Sequence, residues 1–462
     1  MFVGRKKELN YLSDCFRKEG SQILVVYGHK GVGKTSLLFR FAENTQRLTD
    51  GSLFHYYTAR PCSEKEQLLL WNRELGQDTK EIDRDGQEGF EEIFGKIHAK
   101  ASGKKQLIVV DEFQNIVKYS KGFMEAAIRF TKTSETPCLL VLLSSAISFV
   151  ETDLVPRIGS LALGIGGFLK VPEMGFMDCV NYFKECNTRQ CMEIFSILGG
   201  IPAYWECFDA SKSIEQNITD AVLKKGAPLR EEGENIVARD LRELNVYNTI
   251  LHCLANGENK LNDLHVHTGF SRAKISVYIK NLMERELVEK VFPFENASAI
   301  NAKKGVYRIT LRYLEFYYRF LFGRYSKLER LAPAEYYQRI IADEIKSFHQ
   351  TNFRKVCGEY LQLLNERNML PIKAEKSGEW IGKNGAIDLV MQDAEENNLL
   401  AFCNWEKEEL GIEDLQQIMQ IAEAAKLSPD HLYLFSAGHF TQELKGYAAQ
   451  RPSLELVDID TL

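Results

Sequence analysis

This sequence has no stretch of about twenty apolar residues, so a membrane-spanning helix is not among its expected elements. It has no leader-like start, because Arg5, Lys6, Lys7 and Glu8 interrupt any apolar segment. None of its ten cysteines forms a C-x-x-C pair, and Cys179, Cys186 and Cys191 lack zinc spacing. Reduced thiols in a cytoplasmic protein are therefore expected. His265-x-His267 has no Cys or acidic partner at ligand spacing, so a metal pair is not expected there. Positive charge is not in excess either. Lys and Arg number 58 against 64 Asp and Glu, a net charge of −6, which excludes a global basic field. Any nucleic-acid contact must come from a local patch. The 45% apolar and 26% charged fractions are those of an ordinary soluble chain, and 462 residues suffice for about three domains.

What is present is a phosphate-binding loop. Gly28, His29, Lys30, Gly31, Val32, Gly33, Lys34 and Thr35 fit G-x-x-x-x-G-K-[ST] at every fixed position. Ile23 to Tyr27 before it is a β-branched apolar run that reads as a buried strand, and Ser36 to Ala42 after it reads as a helix. Strand, glycine loop and helix N-terminus together point amide N–H groups and a helix dipole at phosphates. Lys34 is placed to reach the β- and γ-phosphates, and the Thr35 hydroxyl to ligate Mg²⁺. ATP and Mg²⁺ are the expected cofactors.

A second run, Gln106 to Val110, ends in Asp111-Glu112-Phe113-Gln114. An acid at the tip of such a strand sits beside the phosphate loop. Asp111 is expected to hold Mg²⁺, mostly through water. Glu112 is expected to polarise the attacking water as a general base. Alternation of strand and helix continues through Ser52–Thr58, helices at Glu64–Leu75, Gly89–Ala101 and Gly122–Thr131, and a strand at Cys138–Leu143. That alternation predicts a parallel sheet with helices on both faces and a ligand at the strands' carboxyl ends. Ser144 and Ser145 follow the last strand. They either sense the γ-phosphate and hold the attacking water, or simply cap the strand.

From Pro172 to Ala238 the pattern is helical, with a Gly-Gly-x-Pro break at Gly199 to Pro202. Helices at Val246–Ala255, Leu261–Thr268 and Arg272–Arg285, then strands at Leu287–Val291 and Gly305–Ile309 around a polar loop, predict a winged helix-turn-helix. Its third helix carries Arg272, Lys274 and Lys280 beside Ser271, Ser276 and Tyr278. Such residues suit duplex DNA, but the same unit also serves as a protein-docking module, and a charged helix face is commonly only solvated. Leu311 to Tyr325 is dense in Tyr and Phe and reads as a packing joint. From Pro333 on, α/β character returns: a helix near Ile341–Asn365, strands at Ala386–Met391, Asn398–Trp405 and His431–Phe435, and a helix at Asp414–Lys426.

Phe2-Val3-Gly4-Arg5-Lys6-Lys7-Glu8-Leu9, the phosphate loop, Asp111-Glu112 and Gly199-Gly200-Ile201-Pro202 resemble the archaeal-type ATPases of the AAA-like STAND group. The resemblance extends over essentially the whole chain. It ends in the domain of unknown function that accompanies these ATPases and looks like a PD-(D/E)XK nuclease fold. It implies that Gly4 and Arg5 line the adenine and ribose side of the nucleotide. It implies that Ser144 or Ser145 is the sensor position and that the segment ending in Pro202 is a lid motif feeling the nucleotide state. Family members carry a Gly-Arg pair between sensor and lid, where this chain has Gly164-Ile165, with Arg157 upstream as a substitute. A nuclease of this type needs an acid on its first helix, an Asp on one strand and Glu-x-Lys on the next. Glu359 and Asp388 fit the first two places. Phe402-Cys403-Asn404 stands where Glu-x-Lys belongs, so Phe402 and Asn404 mark a degenerate site.

The expected organisation is an ATPase core at 1–171, a helical lid at 172–238, a winged helix with aromatic connector at 239–330 and an inactive nuclease-like domain at 331–462. The expected activity is slow ATP hydrolysis driving a molecular switch coupled to double-stranded DNA. Two alternatives stand beside it, a signalling ATPase whose winged helix and tail bind protein, and an active ATP-coupled nuclease. Homo-oligomer formation is left open.

Overall fold

Three strands buried on both faces organise the first part of the chain. In the computed structural model, which describes residues 2–48, 53–76, 89–100, 103–120, 122–294, 305–382 and 385–461, two compact units form. One comprises Met1–Met174 with Ile201–Ala203, the other Gly175–Gly200 with Tyr204–Leu462.

The first unit is built on strands β1 (Gln22–Tyr27), β2 (Leu53–Thr58), β3 (Gln106–Asp111), β4 (Cys138–Ser144) and β5 (Gly167–Lys170). All pair in parallel, in the order β2-β3-β4-β1-β5. Every residue of β3 and β4 is buried, which is why both read as unbroken apolar runs. Ile23, Val25, Ile108, Val110, Leu140 and Leu142 turn to one face, where Trp71, Phe90, Phe94 and Phe123 cover them. Trp71 stacks on Tyr57 with ring centroids 4.3 Å apart. Strand β5 escapes a periodicity reading because it is short, lies at the sheet edge and leaves Phe168 44% exposed. The predicted ends Ser52 and Ala101 lie outside the described residues.

In the second unit, helices Leu244–Ala255, Leu261–Thr268 and Arg272–Met283 precede the antiparallel pair β6 (Val288–Val291) and β7 (Val306–Ile309). Gly269, at φ 70°, ends the second of these helices in the left-handed region that glycine adopts without cost. Much of the polar loop between β6 and β7 lies outside the described residues. The aromatic helix Arg312–Phe320 is buried almost all round, and its hydroxyls find partners. Tyr317 bonds Glu234 at 3.0 Å and Tyr318 bonds Asn248 at 2.7 Å.

The tail sheet contains β8 (Lys376–Gly382), β9 (Gly385–Gln392), β10 (Asn398–Asn404), β12 (His431–Ser436) and β14 (Leu454–Asp458), in the order β14-β12-β10-β9-β8. The short strands β11 (Glu409–Leu410) and β13 (His439–Phe440) pair separately. The sheet is mixed, antiparallel from β8 to β10 and parallel from β10 to β14. The long helix Ile345–Glu366 covers one face. Helices Ile412–Ala424 and Gln442–Ala449 supply Leu415, Ala422 and Leu444 to the core on the other.

One buried histidine joins two helices of this unit. His349, on Ile345–Glu366, is 3% exposed, hydrogen-bonds Ser196 of the helix Thr188–Leu198, and meets the Trp405 ring edge-on at 5.6 Å. Burial, reinforced by Arg189, lowers its pKa from 6.5 to about 3. The unfolded chain therefore binds a proton that the folded chain refuses, and this stability is present above pH 6.5 and lost as pH falls below it. At about pH 5 the loss from this group approaches about 2 kcal/mol. In urea unfolding at about pH 7 and about pH 5, His349→Gln should lose distinctly less stability on acidification than the parent chain. Equal losses would assign the acid sensitivity to another group.

Candidate active site

The turn from β1 into the helix Lys34–Leu48 needs glycine at Gly28, Gly31 and Gly33, the last at φ 93°. A Cβ on Gly28 would lie 2.3 Å from the carbonyl oxygen of Val171. Gly31, at φ 86°, would place a Cβ 2.9 Å from Ile201 and 3.1 Å from Ala203. The Gly-Ile-Pro segment thus rests on the phosphate loop, and Ala203 N donates to Gly31 O at 3.3 Å. Pro202 itself is partly exposed within that contact. Lys34 is 6% exposed, and its Nζ donates to the Gly28 and His29 carbonyls at 2.9 Å each. The lysine ammonium and the loop backbone are therefore already gathered at one point.

Asp111, at the end of β3, is 7% exposed and hydrogen-bonded at both carboxylate oxygens. Its Oδ2 accepts from Thr35 Oγ1 at 3.0 Å and from the Tyr56 hydroxyl at 2.6 Å, and its Oδ1 accepts from Glu112 N at 2.9 Å. Thr58 donates to Tyr56 at 3.1 Å. Burial, and then the bond to Asp111, push the Tyr56 hydroxyl up to about 12, so it remains a proton donor at neutral pH. Thr35 and Asp111 present a hydroxyl and a carboxylate in direct contact, a hard oxygen donor set that suits Mg²⁺.

Glu112 has φ 54°, a left-handed conformation rare for a residue with a side chain. The turn swings its carboxylate toward the end of β4. There Glu112 Oε2 accepts from Ser145 N at 3.2 Å and Ser145 Oγ at 2.7 Å, and also from the Gln114 amide. The two serines separate in role. Ser145 holds Glu112, whereas Ser144 is fully buried and its Oγ accepts from Ala146 N at 3.1 Å.

Arg5 reaches the same loop from outside. It is 8% exposed at φ 63°, and its guanidinium donates to Val32 O at 2.9 Å, to Pro172 O at 2.7 Å and to Glu8 at 3.0 Å. Its side chain clamps loop carbonyls, a use that the resemblance did not indicate. The other residues missed from sequence are Tyr56 and Gln114. The signal for Tyr56 was its alternation with Thr58 on β2, because Thr58 pairs with Asp111.

The remaining candidates lie in the second unit. Arg272, Lys274 and Lys280 are exposed along the helix Arg272–Met283, whose cap is Ser271. Arg272 bonds Asn262, Lys274 lies 4.7 Å from the Phe270 ring, and Lys280 approaches Glu284 at 3.7 Å. In the tail, Asp388 pairs with Arg354 at 2.9 Å and accepts from Cys403 N at 2.8 Å. Burial raises its carboxyl to about 6 against the opposing pull of Arg354. Glu359 is half-exposed and pairs with Arg312 at 3.4 Å. Phe402 packs with Leu415, Leu434 and Leu444, and Asn404 bonds Ser436 at 3.0 Å. Cys403 is the residue that turns toward Cys357, on the helix that supplies Arg354. The ladder pairing of β9 with β10 stops at Leu389 and Ala401.

Residues 2–208 match a family described as an ATPase domain predominantly from Archaea, and residues 317–418 one of archaeal and bacterial proteins of unknown function. Over residues 2–208 the chain is thus similar to an ATPase domain. An uncharacterized protein of Methanocaldococcus jannaschii is 26% identical over 412 residues, 88% of each chain. An uncharacterized ATP-binding protein of that organism is 29% identical over 139 residues, 25% of this chain and 38% of its own length. A Walker-type ATPase of Pyrococcus abyssi has a similar fold, with a TM-score of 0.50 at 14% identity, over 69% of this chain and 96% of that one.

The contact between Gly31 and the Ile201–Ala203 segment has a measurable cost when disturbed. Gly31→Ala imposes a strained φ and a clash with Ile201, and overpacking of this kind destabilises by about 1–3 kcal/mol. Gly95→Ala, in a helix with open space around it, should be neutral or mildly stabilising. Chemical denaturation of the two variants should separate them in that order.

Proposed function

We propose that this protein is an ATP-driven molecular switch. The observation that carries the proposal is the direct bond from Thr35 to Asp111, beside a gathered Lys34 and an anchored Glu112. Lys34 and the amides of Gly28 to Ser36 bind the phosphates, while Thr35 and Asp111 hold Mg²⁺. When bound there, Mg²⁺ would supply positive charge to offset that building on the transferring phosphoryl group. Glu112 accepts the proton of the attacking water, and Ser145 and Gln114 keep its carboxylate aimed. Slow turnover follows in this proposal from a base whose Oε2 is shared among several donors. Ile201–Ala203 rests on Gly31, and the chain on either side of it enters the second unit, which supports a lid role for 172–238.

In this proposal residues 1–171 are the ATPase core, 239–330 a winged helix with its aromatic connector, and 331–462 a nuclease-like domain without nuclease activity. Three helices followed by an antiparallel pair support the winged helix. A mixed sheet covered by the helix of Glu359 supports the nuclease-like fold. The loss of activity is supported by Arg354 on Asp388 and by neutral Cys403 beside it. No described helix is long and apolar enough to cross a membrane, and we place the protein in the cytoplasm. Exposed Arg272, Lys274 and Lys280 supply the local charge for duplex DNA. Val277, 57% exposed on the same helix, favours a second reading in which this face binds a protein.

Lys34→Ala should abolish tight ATP binding in calorimetry, whereas Glu112→Gln should bind ATP normally and hydrolyse it about 10²–10⁴-fold more slowly. Parental turnover by Glu112→Gln would remove Glu112 as the base. For the partner, replacing Arg272, Lys274 and Lys280 together by Ala should weaken duplex binding and flatten its dependence on salt, with ATPase activity retained. A parent chain whose retention on duplex DNA ignores salt would favour the protein-binding reading.

A further inference from the structure

We infer that Tyr56 is a positioning residue for the metal-binding carboxylate, selecting Mg²⁺ held through water over cations that coordinate Asp111 directly. This rests on the ATPase reading above. A carboxylate oxygen accepts two hydrogen bonds comfortably. Asp111 Oδ2 has both places filled, by Thr35 at 3.0 Å and Tyr56 at 2.6 Å. Oδ1 spends one place on Glu112 N at 2.9 Å, which leaves one acceptor position for a metal-bound water.

The direction of the Tyr56 proton is set by its surroundings. Thr58 Oγ1 donates to the Tyr56 oxygen at 3.1 Å, so the phenolic proton points at Asp111. The ring is held as firmly as the hydroxyl. Phe39, on the helix that begins with Lys34 and Thr35, lies 5.1 Å from the Tyr56 ring and 5.4 Å from Phe54. Tyr56 therefore ties the acid at the end of β3 to the helix that carries the metal-binding hydroxyl. With Oδ2 occupied, the carboxylate cannot rotate to offer that oxygen to a cation. Mg²⁺ keeps its waters and tolerates this arrangement. Ca²⁺ prefers more, and more flexible, oxygen ligands and gains when the carboxylate is released.

Tyr56→Phe removes the hydroxyl and keeps the ring packing. The measurement is nucleotide affinity by calorimetry, for the parent and the variant, without metal and in titrations of Mg²⁺ and of Ca²⁺. Without metal the two proteins should bind ATP alike. The Mg²⁺ concentration needed for half-maximal tightening should rise about 10-fold in the variant, and the ratio of Ca²⁺ to Mg²⁺ preference should move toward Ca²⁺. An unchanged Mg²⁺ requirement overturns the inference. An equal loss with and without metal also overturns it, because that pattern belongs to a merely structural ring. Failure of the parent itself to bind ATP would instead overturn the ATPase reading, and Lys34→Ala serves as its control.

Discussion

A buried carboxylate that must be hydrogen-bonded determines how the first unit is put together. Asp111 has left water at the end of β3, and an ionised group in that position is tolerable only with donors on its oxygens. The donors come from three separate stretches: Thr35 from the helix after the phosphate loop, Tyr56 from β2, and the backbone of Glu112. Parallel pairing in the order β2-β3-β4-β1 brings the ends of these strands to one edge. Without β2 beside β3 the Tyr56 donor would be lost. The same edge carries β4, whose end delivers Ser145 to Glu112.

Two strained backbone positions lie near this edge. Glu112 and Arg5 both occupy the left-handed region without being glycine. Such conformations cost of order 1–3 kcal/mol and persist where surrounding contacts over-determine them. Both residues meet that condition. Glu112 is held by Ser145 and Gln114, and the buried Arg5 guanidinium is shared between Val32, Pro172 and Glu8. The strain at Glu112 aims its carboxylate away from Asp111 and toward the β4 terminus, where Ser145 receives it.

The second unit solves a different problem, which is how to bury large polar aromatics. Tyr313, Tyr317 and Tyr318 are all nearly inaccessible, and each hydroxyl reaches a partner, Leu229 O, Glu234 or Asn248. Gly233 permits this, because a Cβ there would lie 2.1 Å from the Tyr317 ring. His349 and Ser196 form a similar neutral pair deeper in the unit. Near the tail, Arg354 neutralises Asp388 where burial alone would favour its protonated form.

Local pattern sufficed for the phosphate loop, the strand ending in Asp111-Glu112, the capped helix after Ser271 and most of the tail strands. Each is dictated by a short-range rule: glycine at a positive φ, unbroken apolar runs in a doubly covered strand, a hydroxyl at a helix N-terminus. Tertiary structure decided the rest. Strand β5 exists because β1 offers it an edge, which no periodicity in four half-buried residues could announce. The division of labour between Ser144 and Ser145 depends on which of two adjacent side chains leaves the core, and Glu112 decides it from another strand. The face of β10 that carries Phe402 is set by the core it shares with Leu415, Leu434 and Leu444, which lie on other elements. Tyr56 was a plain aromatic in a strand until the parallel register set its neighbour Thr58 beside Asp111. Contacts between residues far apart in sequence carry no local signature, so these four outcomes belonged to the fold alone.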